Sequence, residues 1–323
     1  MAGESIRTSI LHALFDGMKN DNSVFVLGEG SRVKYSLDYP DILNSYPDRV
    51  ITAPVCEGGI VGVALGASLG GLRPVVDLTF SDLTLRAMDE IINHVSKVHF
   101  MSAGKLNARI VIRADFNRPE NAQSGNRLEA FFLHFPGLVV LVPSNPTDAY
   151  QMMRYALRAS NPVLFFEDRV IPRGGDIPRS QRNLSVGKAR VVRSGRDLTI
   201  VSYGYALHLV KEAVEGLGSV EIIDLRSLNP LDMGTVAASV RKTRRLLIVE
   251  ADPVKMGIGA EISATISVTL FGKLRAPVLR VGAPDLLMPA AVSLQKYALP
   301  NVSEIRDAVD DLLSKGRRGA GAQ

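Results

Sequence analysis

From Val24 to Val281, short runs of β-branched and aliphatic residues alternate with stretches whose apolar residues recur at helical spacing. No other feature limits the possible folds as strongly. Parallel strands need crossovers long enough to hold a helix, so the alternation predicts an α/β fold on mainly parallel sheets. Strands are predicted at Val24–Leu27, Arg73–Leu78, Arg109–Arg113, Gly137–Val142 and Val163–Glu167. Helices are predicted at Ser5–Lys19, Glu57–Gly70, Thr84–Phe100, Arg127–Phe132 and Thr147–Ala159. In the Thr84 stretch, Ala87, Met88, Ile91, Ile92, Val95 and Val98 fall at i, i+3, i+4 spacing and define one buried face.

The pattern breaks over Asp168–Leu184, where prolines, glycines and alternating charges read as a surface linker. A second series then begins. Strands Leu198–Ser202, Val220–Asp224, Arg245–Val249 and Val278–Val281 alternate with helices Ala206–Gly216 and Met233–Val240, one from about Ala260, and a closing helix Val302–Leu313. Two doubly wound α/β domains result, over residues 1–183 and 184–315, with a disordered Gly/Ala/Arg-rich tail over 316–323. The length of 323 residues agrees with two domains.

Composition removes several function classes. The net charge of +5 is spread along the chain, and the basic stretches Arg241–Arg245 and Lys315–Arg318 have no interleaved aromatics, which argues against nucleic-acid binding. A single cysteine, Cys56, excludes an intramolecular disulfide and a Cys-rich zinc site. The five histidines show no paired ligand spacing, so no metal site built from this chain alone is expected. The N-terminus lacks the order of a signal peptide, and the longest apolar run, Ile60–Leu72, is short for a membrane span. A soluble, cytoplasmic protein is the expectation, with no membrane partner.

A phosphate-binding glycine loop is missing. There is no GxxxxGK[ST], Gly257-Ile-Gly259 does not continue as GxGxxG, and the Gly28-Glu29-Gly30 turn is not followed by a helix-starting pattern. The most unusual stretch is Ala53–Gly70. Gly62, Gly66 and Gly70 fall four apart on one helix face, at a cost of roughly 1 kcal/mol each relative to Ala. Two readings fit: tight packing on a helix of the same domain, or close packing across a subunit interface with Glu57 at the helix N-terminus facing a ligand. A carboxylate there is favoured by the helix dipole.

These residues carry a resemblance. Glu57-Gly-Gly-Ile-Val-Gly-Val-Ala-Leu-Gly-Ala followed by Gly71-Leu-Arg-Pro-Val resembles the β subunits of thiamine-diphosphate-dependent 2-oxoacid dehydrogenase E1 components, such as those for pyruvate, branched-chain oxoacids and acetoin. The similarity continues through Ala87–Asn93, Met101–Lys105, Leu128–Leu138 and Pro143–Ala149. It resumes in Gly187-Lys-Ala, Val220–Asp232, Lys242-Thr and Gly259–Ile262, and so covers nearly the whole chain in order.

The resemblance implies an N-terminal thiamine pyrimidine-binding domain and a C-terminal domain of transketolase type. It implies that Glu57 hydrogen-bonds N1′ of the cofactor's aminopyrimidine, favouring the imino tautomer whose 4′ nitrogen takes the proton from thiazolium C2. The main chain at Val55 matches the position against the same ring. Diphosphate and Mg²⁺ are held in this superfamily by a GDG…N pattern that this chain lacks. Their ligands are therefore expected from an α-type subunit, in an α2β2 heterotetramer whose active site both chains share, with a lipoyl acyltransferase as a further partner.

Two positions depart from the family. Its F-x-D-[FY] segment, where the aromatic stacks on the aminopyrimidine, reads Phe80-Ser81-Asp82-Leu83, so Leu83 covers a ring face by dispersion alone. Its Q-H-S-Q reads Gln123-Ser124-Gly125-Asn126, which puts Ser124 at the place of the active-site histidine. A serine hydroxyl does not titrate near neutral pH. His134 matches a separate family histidine with a structural role. These departures point to an altered substrate or acceptor. They leave open a split transketolase or acyloin-type synthase subunit, and a non-catalytic β-like scaffold, beside the dehydrogenase reading.

Overall fold

The computed structural model describes residues 5–29, 40–116, 122, 125–168, 170–172 and 185–314. Most of the predicted linker and all of the 316–323 tail lie outside these residues. The chain forms two compact units, with the change from one to the other at Val186/Gly187.

The first unit begins with helix α1 (Ile6–Asn20), started by the Ser5 side chain, which accepts the Thr8 N–H at 3.0 Å. Its Ile6, Ile10, Leu14 and Met18 form a buried face. Strands β1 (Val24–Glu29), β2 (Val50–Ala53), β3 (Arg73–Phe80), β4 (Val111–Phe116), β5 (Val139–Leu141) and β6 (Val163–Asp168) are parallel, in the order β5-β6-β4-β3-β1-β2. Helix α2 (Glu57–Leu69) packs on β3 and β1, and α3 (Pro146–Ala156) packs on α1. Strands β1, β4, β5 and β6 are buried along their whole length, the pattern of a parallel sheet covered on both faces.

The second unit holds β7 (Arg190–Arg193), β8 (Leu198–Ser202), α4 (Ala206–Ala213), β9 (Val220–Asp224), α5 (Met233–Thr243), β10 (Leu246–Pro253), α6 (Ile258–Thr269), β11 (Leu279–Ala283) and α7 (Val302–Ser314). Its sheet runs β11-β10-β8-β9-β7, parallel except for β7, which is antiparallel to β9. Leu198, Ile200, Ile222, Leu247 and Val249 of the strands meet Leu207 and Val210 of α4 and Ile305, Val309 and Leu312 of α7 in one core.

Three differences from the sequence reading have physical causes. The single helix predicted over Thr84–Phe100 is broken. A 3₁₀ segment spans Ser81–Ala87, a π-type turn spans Glu90–Val95, and a short α-helix spans Val98–Met101. The Thr84 hydroxyl donates to the Ser81 carbonyl at 2.5 Å and the Ser96 hydroxyl to Ile92 O at 2.7 Å, so side chains compete with the helical ladder at both ends. Ala87, Ile91, Ile92 and Val95 are nonetheless buried as the periodicity requires. The strand expected at Arg109–Arg113 lies further on, at Val111–Phe116, because the buried Asp115 continues it. Strands β2 and β7 are edge strands with partly exposed side chains, and so leave little apolar signal.

Candidate active site

In the first sheet the chain leaves β1 for β2 on one side and reaches β3 on the other, a topological switch at β1/β3. Ligands of open α/β sheets bind at the carboxyl ends of the strands beside such a point. The segments after β2 and β3 carry Val55, Glu57, Asp82 and Leu83, so the fold itself delivers these residues to that edge.

The exit from β3 is held by buried charge. Asp77 Oδ2 accepts Arg113 Nη1 at 2.8 Å, and Glu167 Oε1 accepts Arg113 Nε at 2.6 Å, all three side chains being buried. Burial alone would weaken the guanidinium as a cation, but Glu167 and Asp77 outweigh it and raise the Arg113 pKa. The other Asp77 oxygen accepts the Thr79 N–H at 2.9 Å, fixing Thr79 at φ +68°, a conformation unusual for a β-branched residue. The β3/β4 register shifts between Asp77 and Phe80 at this point. A core ion pair thus sets where the chain turns out of the sheet into Ser81–Ala87.

Glu57 opens α2 and is only 2% exposed. Its Oε2 lies 2.9 Å from Arg86 Nε, and that arginine is 64% exposed. Val55, just before the helix, is 66% exposed, and Cys56 beside it is free and exposed. Asp82 is half-buried and accepts a hydrogen bond from Asn126 Nδ2, while Ser81 Oγ donates to Asn126 O at 2.5 Å. Burial raises the Asp82 pKa, and the Asn126 hydrogen bond only partly opposes it. Asp82 Oδ2 is buried with no hydrogen-bond partner among the described residues. Leu83 is half-buried in the same 3₁₀ segment, which packs on α2.

A second charged group lies at the end of β6. Arg127 pairs with Glu129 at 3.2 Å and Asp168 at 3.0 Å, and its guanidinium carbon stands 3.8 Å from the centre of the Phe116 ring. Burial raises the pKa of Glu129 despite Arg127 beside it. Ser124 lies outside the described residues. His134 is exposed, with its ring edge-on to Phe135 at 5.5 Å.

The glycine stripe of α2 separates the two readings left open by the sequence. The helix buries Glu57, Ile60, Val61, Ala64 and Ser68 against its own unit and turns Gly59, Gly62, Val63, Gly66 and Leu69 outward. A Cβ at Gly66 would meet nothing within 4 Å, and one at Gly62 only Glu90 Cγ at 4.0 Å. Among the described residues the Glu90 side chain of the π-type turn reaches Gly62 and nothing reaches Gly66, which favours the interface reading for Gly66. Arg86 carried no sequence signal, since nothing local ties it to Glu57.

A buried acid that starts a helix at the switch point, a removable cation on it, and an unmatched Asp82 oxygen fit a ring bearing both a protonated nitrogen and an amino group. Among the described residues no group of His, Cys, Asp and Glu is placed to hold a metal ion.

Comparison with known proteins identifies both domains. The family model "Transketolase, pyrimidine binding domain" matches residues 4–173, and "Transketolase, C-terminal domain" matches residues 187–305. The chain is 38% identical to pyruvate dehydrogenase E1 component subunit beta-2, mitochondrial, of Oryza sativa subsp. japonica, covering 93% of this chain and 84% of that protein. It is 36% identical to pyruvate dehydrogenase E1 component subunit beta of Rhizobium meliloti (strain 1021), covering 96% and 70%. The subunit of the same name from Rickettsia felis is 34% identical, covering 94% and 97%. A solved structure titled "Split gene transketolase, inactive beta4 tetramer" superposes with a TM-score of 0.80 at 24% identity, over 98% of this chain and all of that one, a likeness of fold.

Proposed function

The chain belongs to the family of pyruvate dehydrogenase E1 component β subunits, built from transketolase pyrimidine-binding and C-terminal domains, and from that premise we propose how its residues act. It is the β subunit of a thiamine-diphosphate-dependent 2-oxoacid dehydrogenase. When bound, the cofactor supplies a nucleophilic carbon and an electron sink for loss of the substrate's carboxylate. Glu57 would hold the pyrimidine N1′ and share its proton. Burial strengthens this contact, because water does not compete for the carboxylate. The main chain at Val55 and the side chains of Asp82 and Leu83 border the same ring. Leu83 would cover the ring without stacking, and Ser124 stands in the sequence where the family carries a titratable histidine.

The chain carries no diphosphate motif, so Mg²⁺ and diphosphate are assigned to an α-type partner in an α2β2 heterotetramer. The outward stripe of Gly59, Gly62, Val63, Gly66 and Leu69 supports this, since bare glycine backbone lets another helix approach closely. A lipoyl-bearing acyltransferase would accept the acyl unit, the lipoyl disulfide being reduced to one thioester and one thiol as the unit is oxidised to acyl level. No helix among the described residues is long and apolar enough to cross a membrane.

The observation that carries the proposal is the buried Glu57 carboxylate at the helix start beside the β1/β3 switch. Glu57→Gln in the assembled complex is expected to cut turnover by at least about 100-fold, the lower range for losing a proton-transfer group. Assembly, followed by size-exclusion chromatography, is expected to survive. Unchanged 2-oxoacid turnover in that variant sinks the assignment of Glu57.

A further inference from the structure

We propose that Arg86 is a positioning residue for Glu57. It neutralises the carboxylate in the cofactor-free protein and gives way to the aminopyrimidine, and so sets the affinity for thiamine diphosphate. The proposal rests on Glu57 being the ring's partner, as set out above.

The two members of the pair differ in a way that requires exchange. Glu57, at 2% exposure, cannot satisfy its charge with water, and a buried carboxylate without a partner is strongly unfavourable. Arg86 Nε at 2.9 Å is the one polar side-chain contact of Glu57 among the described residues, and the reverse also holds. The arginine, at 64% exposure, loses little on release because water takes over its donors. One partner needs the pair and the other does not.

A ring N–H arriving at Glu57 competes with the guanidinium for the same oxygens. Binding therefore replaces an ion pair with a hydrogen bond from the ring, and breaking the Glu57–Arg86 pair weakens the net affinity. Arg86 stands on the 3₁₀ segment after β3, whose start is fixed by the Asp77–Arg113 pair, and its long side chain can leave without moving that backbone.

The test uses the complex with its α partner and isothermal titration with thiamine diphosphate and Mg²⁺. Arg86→Gln is expected to tighten Kd about tenfold, the equivalent of 1.4 kcal/mol of competition removed. Arg86→Met, which keeps the apolar stem, is expected to tighten it similarly and serves if the Gln variant does not fold. Arg86→Lys keeps the cation and is expected to stay within about twofold of the parent. In a Glu57→Gln background the effect of Arg86→Gln should shrink to less than about twofold, since the charge it acts through is gone.

Cofactor-free Arg86→Gln is also expected to melt at lower temperature than the parent, with the gap narrowing at saturating cofactor. Unchanged or weaker cofactor binding in both neutral variants overturns the proposal. So does a tightening that persists without Glu57, or an equal thermal loss with and without cofactor. Glu57→Gln alone keeping full cofactor affinity and turnover overturns instead the reading beneath it, and no Arg86 variant enters that result.

Discussion

Helices α2 and α6 begin with the same ingredients and finish differently. Each follows a parallel strand, starts among glycines, and sets a buried glutamate beside its first turn with an arginine on it. At α6 the arrangement is closed. Glu250, fully buried, accepts the Gly259 N–H at 3.1 Å through Oε2 and faces Arg280 Nη2 at 2.9 Å through Oε1. A Cβ on Gly257 would stand 2.6 Å from Glu250 Oε2, and one on Gly259 2.6 Å from Oε1. The glycines are there because the carboxylate occupies the space a side chain would need. At α2, among the described residues, a Cβ at Gly66 would meet nothing and one at Gly62 only Glu90 Cγ at 4.0 Å, and the one polar side chain on Glu57 is an arginine largely in water. The Glu250 carboxylate is paired on both oxygens, and on the reading proposed above the Glu57 site would be completed by a ligand and a partner.

That contrast breaks most directly at the arginines. Arg280 is 19% exposed, so Arg280→Ala strips a cation from a carboxylate with no route to water and is expected to cost about 3 kcal/mol. Arg86→Ala also leaves a buried carboxylate unpaired, but it removes a side chain that is 64% exposed and fills little of the interior, so its expected cost lies below that of Arg280→Ala. Urea unfolding of the two variants side by side measures both, and equal losses would erase the distinction. Gly259→Ala comes next in size. Its methyl would press on Glu250, on Arg280 Nε at 3.0 Å and on Ile248 Cγ2 at 3.0 Å, an overpacking expected to cost about 1–3 kcal/mol. A midpoint unchanged from the parent would show that α6 has slack the structure does not display.

The comparison also separates what could be read in the residues from what could not. The start of α2 at Glu57 and the core strands Leu198–Ser202 and Val220–Asp224 agree with the sequence reading, the strands because Leu198, Ile200, Val201, Val220, Ile222 and Ile223 keep a β-branched and aliphatic signal despite the buried polar residues among them. Glycine spacing alone did not tell α2 from α6, since that depends on whether a side chain from elsewhere fills the gap. The Glu57–Arg86 pair and the Asp77–Arg113–Glu167 group were invisible for the same reason: each joins residues far apart in the chain, and buried charge has no periodicity. The break after Ser81 depends on hydroxyls that compete with the backbone, a choice the apolar pattern does not register. Gly28 and Glu29, read from sequence as part of a turn, continue β1, while Gly30 and Ser124 lie outside the described residues, so the departure at 124 rests on sequence.

The smallest expected effect sharpens the contrast most, because it should change sign with context. Gly66 lies within α2, and a Cβ there would touch nothing within 4 Å. Gly66→Ala therefore removes a helix-interior glycine without a clash and is expected to stabilise the isolated chain by up to about 1 kcal/mol. If this face is the one the α partner covers, the same methyl holds the neighbouring backbone away and weakens assembly. Unfolding of the chain alone and titration with the partner by analytical ultracentrifugation read the two effects separately. Gain in the first with loss in the second is the expected result. Gain in both would move the partner to another face and leave the open glycines without a purpose, whereas Gly259→Ala has no context in which it is expected to gain.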